Sequence, residues 1–206
     1  MKVREATGAD VDGAVDTLTQ ALLDYPMTRA CFDPDGYVER VAEYHRLFVA
    51  RIGLPYGRVW VTDDVSAVAI WLPPDLPAEA FAPHAADFQR LAGSQAAVTA
   101  EYGQAIGLFH PRTPAWLLAL AAVHPDRQGK GLGHAVIEPG LAVADAAHSP
   151  TFVETQDPAN VGFYESLGFT VIAELELPHS GTMHYAMYRA VPSGTSKPGG
   201  DGPPAG

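Results

Sequence analysis

Gly129, Gly131 and Gly133 alternate with one residue between them, directly behind the apolar run Trp116-Leu117-Leu118-Ala119-Leu120-Ala121-Ala122-Val123. A helical stretch begins beside them at Leu132. Glycine carries no Cβ, so its backbone N–H can come close to a ligand. A helix start adds unpaired N–H donors and the positive end of the helix dipole, which together suit an anion such as a pyrophosphate. Two phosphate-binding loops fail here. A P-loop requires Ser or Thr after its lysine, but Gly131 follows Lys130. A dinucleotide fingerprint begun at Gly129 requires glycine where His134 stands. A plain glycine-rich connection remains open on these residues alone.

Further on, Asn160, the pair Phe163-Tyr164 and the run Leu167-Gly168-Phe169 form a second group. A phenol with a pKa near ~10 is protonated at neutral pH and can donate its proton to a developing anion. Tyr164 could do this, or simply pack beside Phe163. Asn160 could bond a ligand, cap the helix it begins, or do both. Carboxylates that could take a proton lie elsewhere, because Trp116 to Val123 contains none: Glu154, Glu43 and Asp24, with Tyr25 and His110 as other candidates, acting directly or through water. Glu154 is the first choice. His124 reads as a solvated loop residue. The eight histidines show no metal-ligand spacing, so no metal is expected. Cys31, the sole cysteine, excludes an internal disulfide and a thiolate zinc cage, and reads as a small buried side chain.

The elements that must position these groups follow from periodicity. Val3 to Thr7 alternates like a strand, and Thr7-Gly8-Ala9-Asp10 offers caps for a helix carrying Val11, Val15, Leu18, Leu22 and Leu23. Asp24-Tyr25-Pro26 breaks that helix. A second helix runs from about Asp35 to Gly53-Leu54-Pro55. Arg58 to Thr62 and Ser66 to Leu72 form a hairpin through Asp63-Asp64. Ala78 to Ile106 reads as helix interrupted near Pro83 and Gly93. Trp116 to Val123 is expected to be a central strand covered on both faces. A helix from Leu132 to about His148, a strand Thr151 to Thr155, a short helix Asn160 to Leu167, and strands Thr170 to Leu177 and Met183 to Tyr188 complete the domain. From Pro192 the chain is Gly, Pro and Ser with nothing to bury, a flexible tail over 192–206. Mixing of strands and helices around a strand–turn–helix–strand unit makes the class α/β in the broad, mixed α+β sense.

With 206 residues, one ordinary domain is expected, over 1–191. Hydrophobic residues at 47% and charged residues at 18% give a globular balance. The net charge of −11 argues against binding a phosphate backbone, and so against a nucleic-acid partner. No apolar run is long enough to cross a bilayer, and the first residues lack a signal core, so a cytoplasmic location is expected.

Gln128-x-x-Gly131-x-Gly133, followed after one helix and one strand by Asn160 and Phe163-Tyr164 with Leu167-Gly168-Phe169, resembles the two hallmarks of the GNAT superfamily of acetyltransferases. Within it, the puromycin N-acetyltransferases are similar from Val3 to Arg189. The shared stretches include Asp24-Tyr25-Pro26 with Thr28-Arg29, Pro114-Ala115-Trp116, Pro125-Asp126, Pro139-Gly140, Glu154-Thr155 and Phe163-Tyr164-Glu165. Pro74 to Phe109 and Pro178 to Gly181 depart from them. Pro139 falls inside the predicted cofactor helix, where proline costs roughly 3 kcal/mol.

The resemblance implies a mixed, largely antiparallel sheet of seven strands flanked by helices and splayed between the fourth and fifth strands. It implies acetyl-CoA as cosubstrate, its pantetheine arm bonded near Ala121 and Val123. Its pyrophosphate would rest on Gln128, Gly129, Lys130, Gly131, Leu132 and Gly133, and its amides on Asn160. It places the Tyr164 hydroxyl beside the sulfur as proton donor, a backbone N–H near Val123 toward the reacting oxygen, and Tyr25 in the wall of the acceptor pocket. The implied activity is N-acetylation of a primary amine on a small molecule, an aminonucleoside antibiotic among them. Another metabolite amine, a protein N-terminus, or a non-catalytic acetyl-CoA sensor are the alternatives. Monomer and homodimer are both compatible with the sequence.

Overall fold

Ala67, Ala69 and Trp71 alternate with Val68, Ile70 and Leu72 along one buried strand, and the two sets face different cores. The period of two sends neighbours to opposite sides of a sheet. The computed structural model that shows this describes residues 2–178 and 181–191. The predicted tail 192–206 lies outside the described residues.

The strands are β1 (Val3–Glu5), β2 (Arg58–Thr62), β3 (Ala67–Leu72), β4 (Trp116–Val123), β5 (Thr151–Thr155), β6 (Thr170–Glu176) and β7 (Met183–Arg189). They form one sheet in the order β1-β2-β3-β4-β5-β7-β6. Every neighbouring pair is antiparallel except β4 and β5. The helices are α1 (Val11–Leu22), α2 (Pro26–Cys31), α3 (Tyr37–Leu47), α4 (Leu54–Tyr56), α5 (Ala85–Ala92), α6 (Ala96–Gly107), α7 (Leu132–Ala146) and α8 (Ala159–Ser166). A π-helical segment, Phe48–Gly53, joins α3 to α4.

Trp71, Ala69 and Ala67 pack against Val136, Ile137 and Leu141 of α7, while Ile70 and Val68 pack against Ala14 and Leu18 of α1 and Ile52 of the π segment. Each large aliphatic side chain so buried contributes roughly 1.5–3 kcal/mol. Pro139 and Gly140 lie inside α7, which continues through them where it meets Trp71. A Cβ on Gly140 would stand 2.1 Å from the indole Nε1, so glycine lets helix and sheet approach.

Asp24-Tyr25-Pro26 ends the first helix as expected, and Pro26, suited to the first turn of a helix, then starts α2. Two expectations change. The first strand stops at Glu5, since Thr7 already bonds Asp10 at the start of a short 3-10 turn. β4 is not covered throughout: of its eight residues only Leu118 and Ala122 are buried, because the sheet opens along it.

Candidate active site

β4 and β5 pair only at Trp116↔Thr151, Leu117↔Phe152 and Leu118↔Val153, then separate. On the other side, β4 stays with β3 as far as Val123, with one extra residue, Ala119, bulged between Leu118 and Leu120. His124 N–H donates to the Ser66 carbonyl at 2.9 Å, which fixes the alternation of this ladder. Ala122 and Leu120 therefore bond β3, and Ala121 and Val123 turn their backbone groups to the opposite edge, where β5 has left. The Val123 carbonyl is met there by Gln128 Nε2 at 3.2 Å.

The strand ends in a 3-10 turn, Pro125–Arg127, and α7 follows. Gly129 and Gly131 have φ of 73° and 76°, which L side chains rarely adopt, although a Cβ would meet nothing at either position. The turn needs these two glycines for conformation. Gly133 serves packing instead, since its Cβ would touch the Phe163 ring at 3.2 Å. The first N–H groups of α7 lack intrahelical partners. Gln128, Gly129, Gly131, Leu132 and Gly133 line a cleft of about 660 Å³ together with Ala121 and Val123. Lys130 is not among its lining residues, and its Nζ donates to the Asp126 carbonyl at 3.3 Å. His124 is only partly exposed, its Nδ1 accepting from the Asp126 N–H.

A second cavity of about 410 Å³ lies on the other side of the gap, under α2, α3, α5 and α6. The two share Leu22, Tyr25, Ala121, Asn160 and Tyr164. Tyr164 therefore stands where they meet. Its ring packs edge-on against Phe163 and Phe169, and burial pushes its phenol well above the ordinary value of 10, with Tyr25 acting in the same direction. The Tyr25 hydroxyl accepts from the Gln156 N–H at 2.6 Å and bonds Thr155 Oγ1 at 2.7 Å, which pins α2 to the end of β5. Burial raises its pKa too, against those hydrogen bonds.

Asn160 does not cap α8. Pro158 stands at its N-cap, the Asp157 carboxylate accepts from the Ala159 N–H at 2.9 Å, and the Asn160 side chain reaches Thr155 Oγ1 at 3.3 Å. Cys31 is half-buried in the wall of the second cavity, with burial raising its thiol pKa.

Glu154 lines the second cavity near its junction. His184 Nε2 lies 3.2 Å and His110 Nε2 3.4 Å from its Oε1. Gln156 Nε2 donates to His184 Nδ1 at 2.6 Å, so the ring carries its proton on Nε2 and donates it to Glu154. Burial works to raise the Glu154 pKa, but both histidines lower it further, and the net shift is downward. His110 moves upward, chiefly through its hydrogen bond to Glu154. The other carboxylate candidates are elsewhere: Glu43 pairs with Arg90, and Asp24 with Arg29, on the surface. His184 and Gln156 carried no sequence signal, since the contact between them forms only when β7 lies beside β5.

The fold has relatives among solved structures. One described as histone acetyltransferase HPA2 and related acetyltransferase, from Corynebacterium glutamicum, superposes with a TM-score of 0.74 at 23% identity, covering 94% of this chain and 98% of that one. An agmatine N-acetyltransferase gives 0.65 at 14% identity, over 91% and 97% of the two chains. The ribosomal-protein-S18-alanine N-acetyltransferase from Escherichia coli gives 0.55 at 15%, over 95% and 97%. These likenesses concern the fold. Residues 63–190, which hold the opened strand pair, the glycine turn and Tyr164, match the model of the acetyltransferase (GNAT) domain, and the chain belongs to that family.

Proposed function

We propose that this protein transfers the acetyl group of acetyl-CoA to the primary amine of a small molecule. The observation that carries the reading is the meeting of two cavities at Tyr164, Asn160 and Ala121, at the point where β4 and β5 part. One cavity has the features of a diphosphate site, with free amides along β4 leading to the start of a 15-residue helix. Ala121, Val123 and the turn from Gln128 to Gly133 would hold the cosubstrate, with Asn160 beside its amide arm. Lys130 would contribute through its backbone.

When bound, acetyl-CoA supplies an activated thioester carbonyl. The amine attacks that carbonyl in its neutral form, and Glu154, an anion in a largely apolar cavity, orients it and takes the proton that the nitrogen sheds as the new bond forms. His110, half exposed, passes that proton outward from Oε1 of Glu154. His184 holds the carboxylate in place. The Val123 N–H stands toward the developing negative oxygen. The Tyr164 hydroxyl, kept protonated by burial, donates to the departing sulfur.

A cavity of about 410 Å³ suits a drug-sized amine better than a protein terminus. Aminonucleosides such as puromycin, indicated by the sequence resemblance, are the first acceptors to try. The domain spans 1–191 in this reading.

Calorimetry with CoA, followed by thiol release from acetyl-CoA across a panel of amines, tests the proposal. Heat on titration and turnover with at least one amine are expected. CoA binding without turnover on any amine would make the protein a sensor, and no binding would end the proposal.

A further inference from the structure

His45 is 2% exposed, yet it lines the acceptor cavity. Its Nδ1 lies 3.0 Å from Thr19 Oγ1, a hydroxyl that is itself buried on α1. Among the described residues neither Thr19 Oγ1 nor His45 Nε2 has another hydrogen-bond partner. If the ring donated from Nδ1, the threonine proton would be left unpaired in a buried position, which costs about 1–3 kcal/mol. The satisfied arrangement has Thr19 donating to Nδ1, so that Nε2 carries the ring proton, on a ring that borders the cavity. Tyr44, stacked edge-on at 5.5 Å, and the nearby Phe32 and Phe88 make the surrounding wall aromatic. Burial keeps the imidazole neutral, with its pKa lowered to about 4, so it does not repel a cationic substrate.

We infer that His45 is a specificity-determining residue: its Nε2–H donates a hydrogen bond to a neutral acceptor atom on the amine substrate, remote from the reacting nitrogen. This rests on the acetyl-transfer reading of the same cavity. The substrate class becomes an amine with an apolar or aromatic body that carries a carbonyl, ether or ring-nitrogen acceptor beyond it. Glu154 marks one end of such a molecule and His45 the other polar contact. A simple polyamine, charged at both ends, meets no second carboxylate among the described residues that line this cavity.

Matched amines test this. Phenethylamine and 2-(pyridin-4-yl)ethylamine differ by one ring nitrogen, and 3-phenylpropylamine with 3-(pyridin-4-yl)propylamine extends the reach. At pH 8, where the pyridine is neutral, kcat/KM should favour the pyridyl partner of at least one pair by about tenfold, mainly through KM. His45→Phe should bring that ratio near one, Thr19→Val should reduce it, and His45→Gln, which restores an N–H, should recover part of it. The ratio is insensitive to a general loss of folded enzyme. Calorimetric Kd values for the same amines give the ratio without turnover. Absence of acetyl transfer with all four amines, while the Kd ratio behaves as stated, would count against the catalytic reading and not against His45. A ratio near one in the native protein, or one unmoved by His45→Phe, would overturn the inference.

Discussion

Glu154 of β5 and His184 of β7 are joined by a bond of 3.2 Å between Oε1 and Nε2, and Gln156 secures the far nitrogen of the ring. The carboxylate is thus oriented from behind, while no described residue bonds its Oε2. Glu154→Gln keeps the shape and removes the charge. We expect kcat/KM to fall about 100-fold with the amine KM raised, as measured by thiol release. An unaltered value would remove Glu154 from proton transfer.

Tyr164→Phe deletes only the hydroxyl at the junction of the two cavities. Turnover should drop about 100-fold or more, with the Kd for acetyl-CoA changed by less than about twofold. A weakened Kd with intact kcat would instead make the phenol a binding group.

Because Glu154 is held below its ordinary pKa, it is ionised throughout the neutral range and should not set the acid limb of activity. The substrate should. For an α-amino acceptor, log kcat/KM should climb with unit slope as pH rises to roughly 8 and then level off. With an alkylamine the plateau should move upward with the amine. A plateau fixed across amines would point to a titrating enzyme group.

His45 makes stability depend on pH. Its folded-state pKa of about 4 lies below the ordinary 6.5, so the unfolded chain takes up more protons between these values. The contribution of the neutral ring is complete above about pH 6.5 and is lost as pH falls toward 4, by up to about 3 kcal/mol. Denaturant titrations of the native protein and His45→Phe should show a steeper fall over that window in the native protein. Parallel curves would contradict the assignment.

Gly140→Ala should destabilise despite the better helix propensity of alanine, because the new methyl overlaps the Trp71 indole at 2.1 Å. We expect about 3 kcal/mol and a Tm lower by roughly 6–12 °C. Gly131→Ala, where the difficulty is a φ of 76°, should cost about 1–2 kcal/mol and weaken CoA binding, which calorimetry reads directly.

Much of this was legible along the chain because it is written in local terms. Apolar periodicity marked the seven strands, and the glycine spacing marked a turn whose φ values only glycine adopts readily. The break at Asp24-Tyr25-Pro26 was legible, but the short α2 that follows was not, because six residues carry too little periodicity to read. Local pattern also carried Tyr164, since a tyrosine one turn before Leu167-Gly168-Phe169 has its position fixed by its own helix.

Tertiary structure alone decided what surrounds Glu154 and how the acceptor cavity is walled. His110 comes from a loop, His184 from β7 and Gln156 from the residue after β5, and they reach one carboxylate oxygen or its partner only after β5 and β7 have paired. Thr19 and His45 are 26 residues apart on different helices, and nothing in either neighbourhood foretells the bond. Spacing within an element follows from backbone geometry and can be read in order. Contact between elements depends on how the two cores on either side of the sheet pack, and that is settled by the whole chain at once.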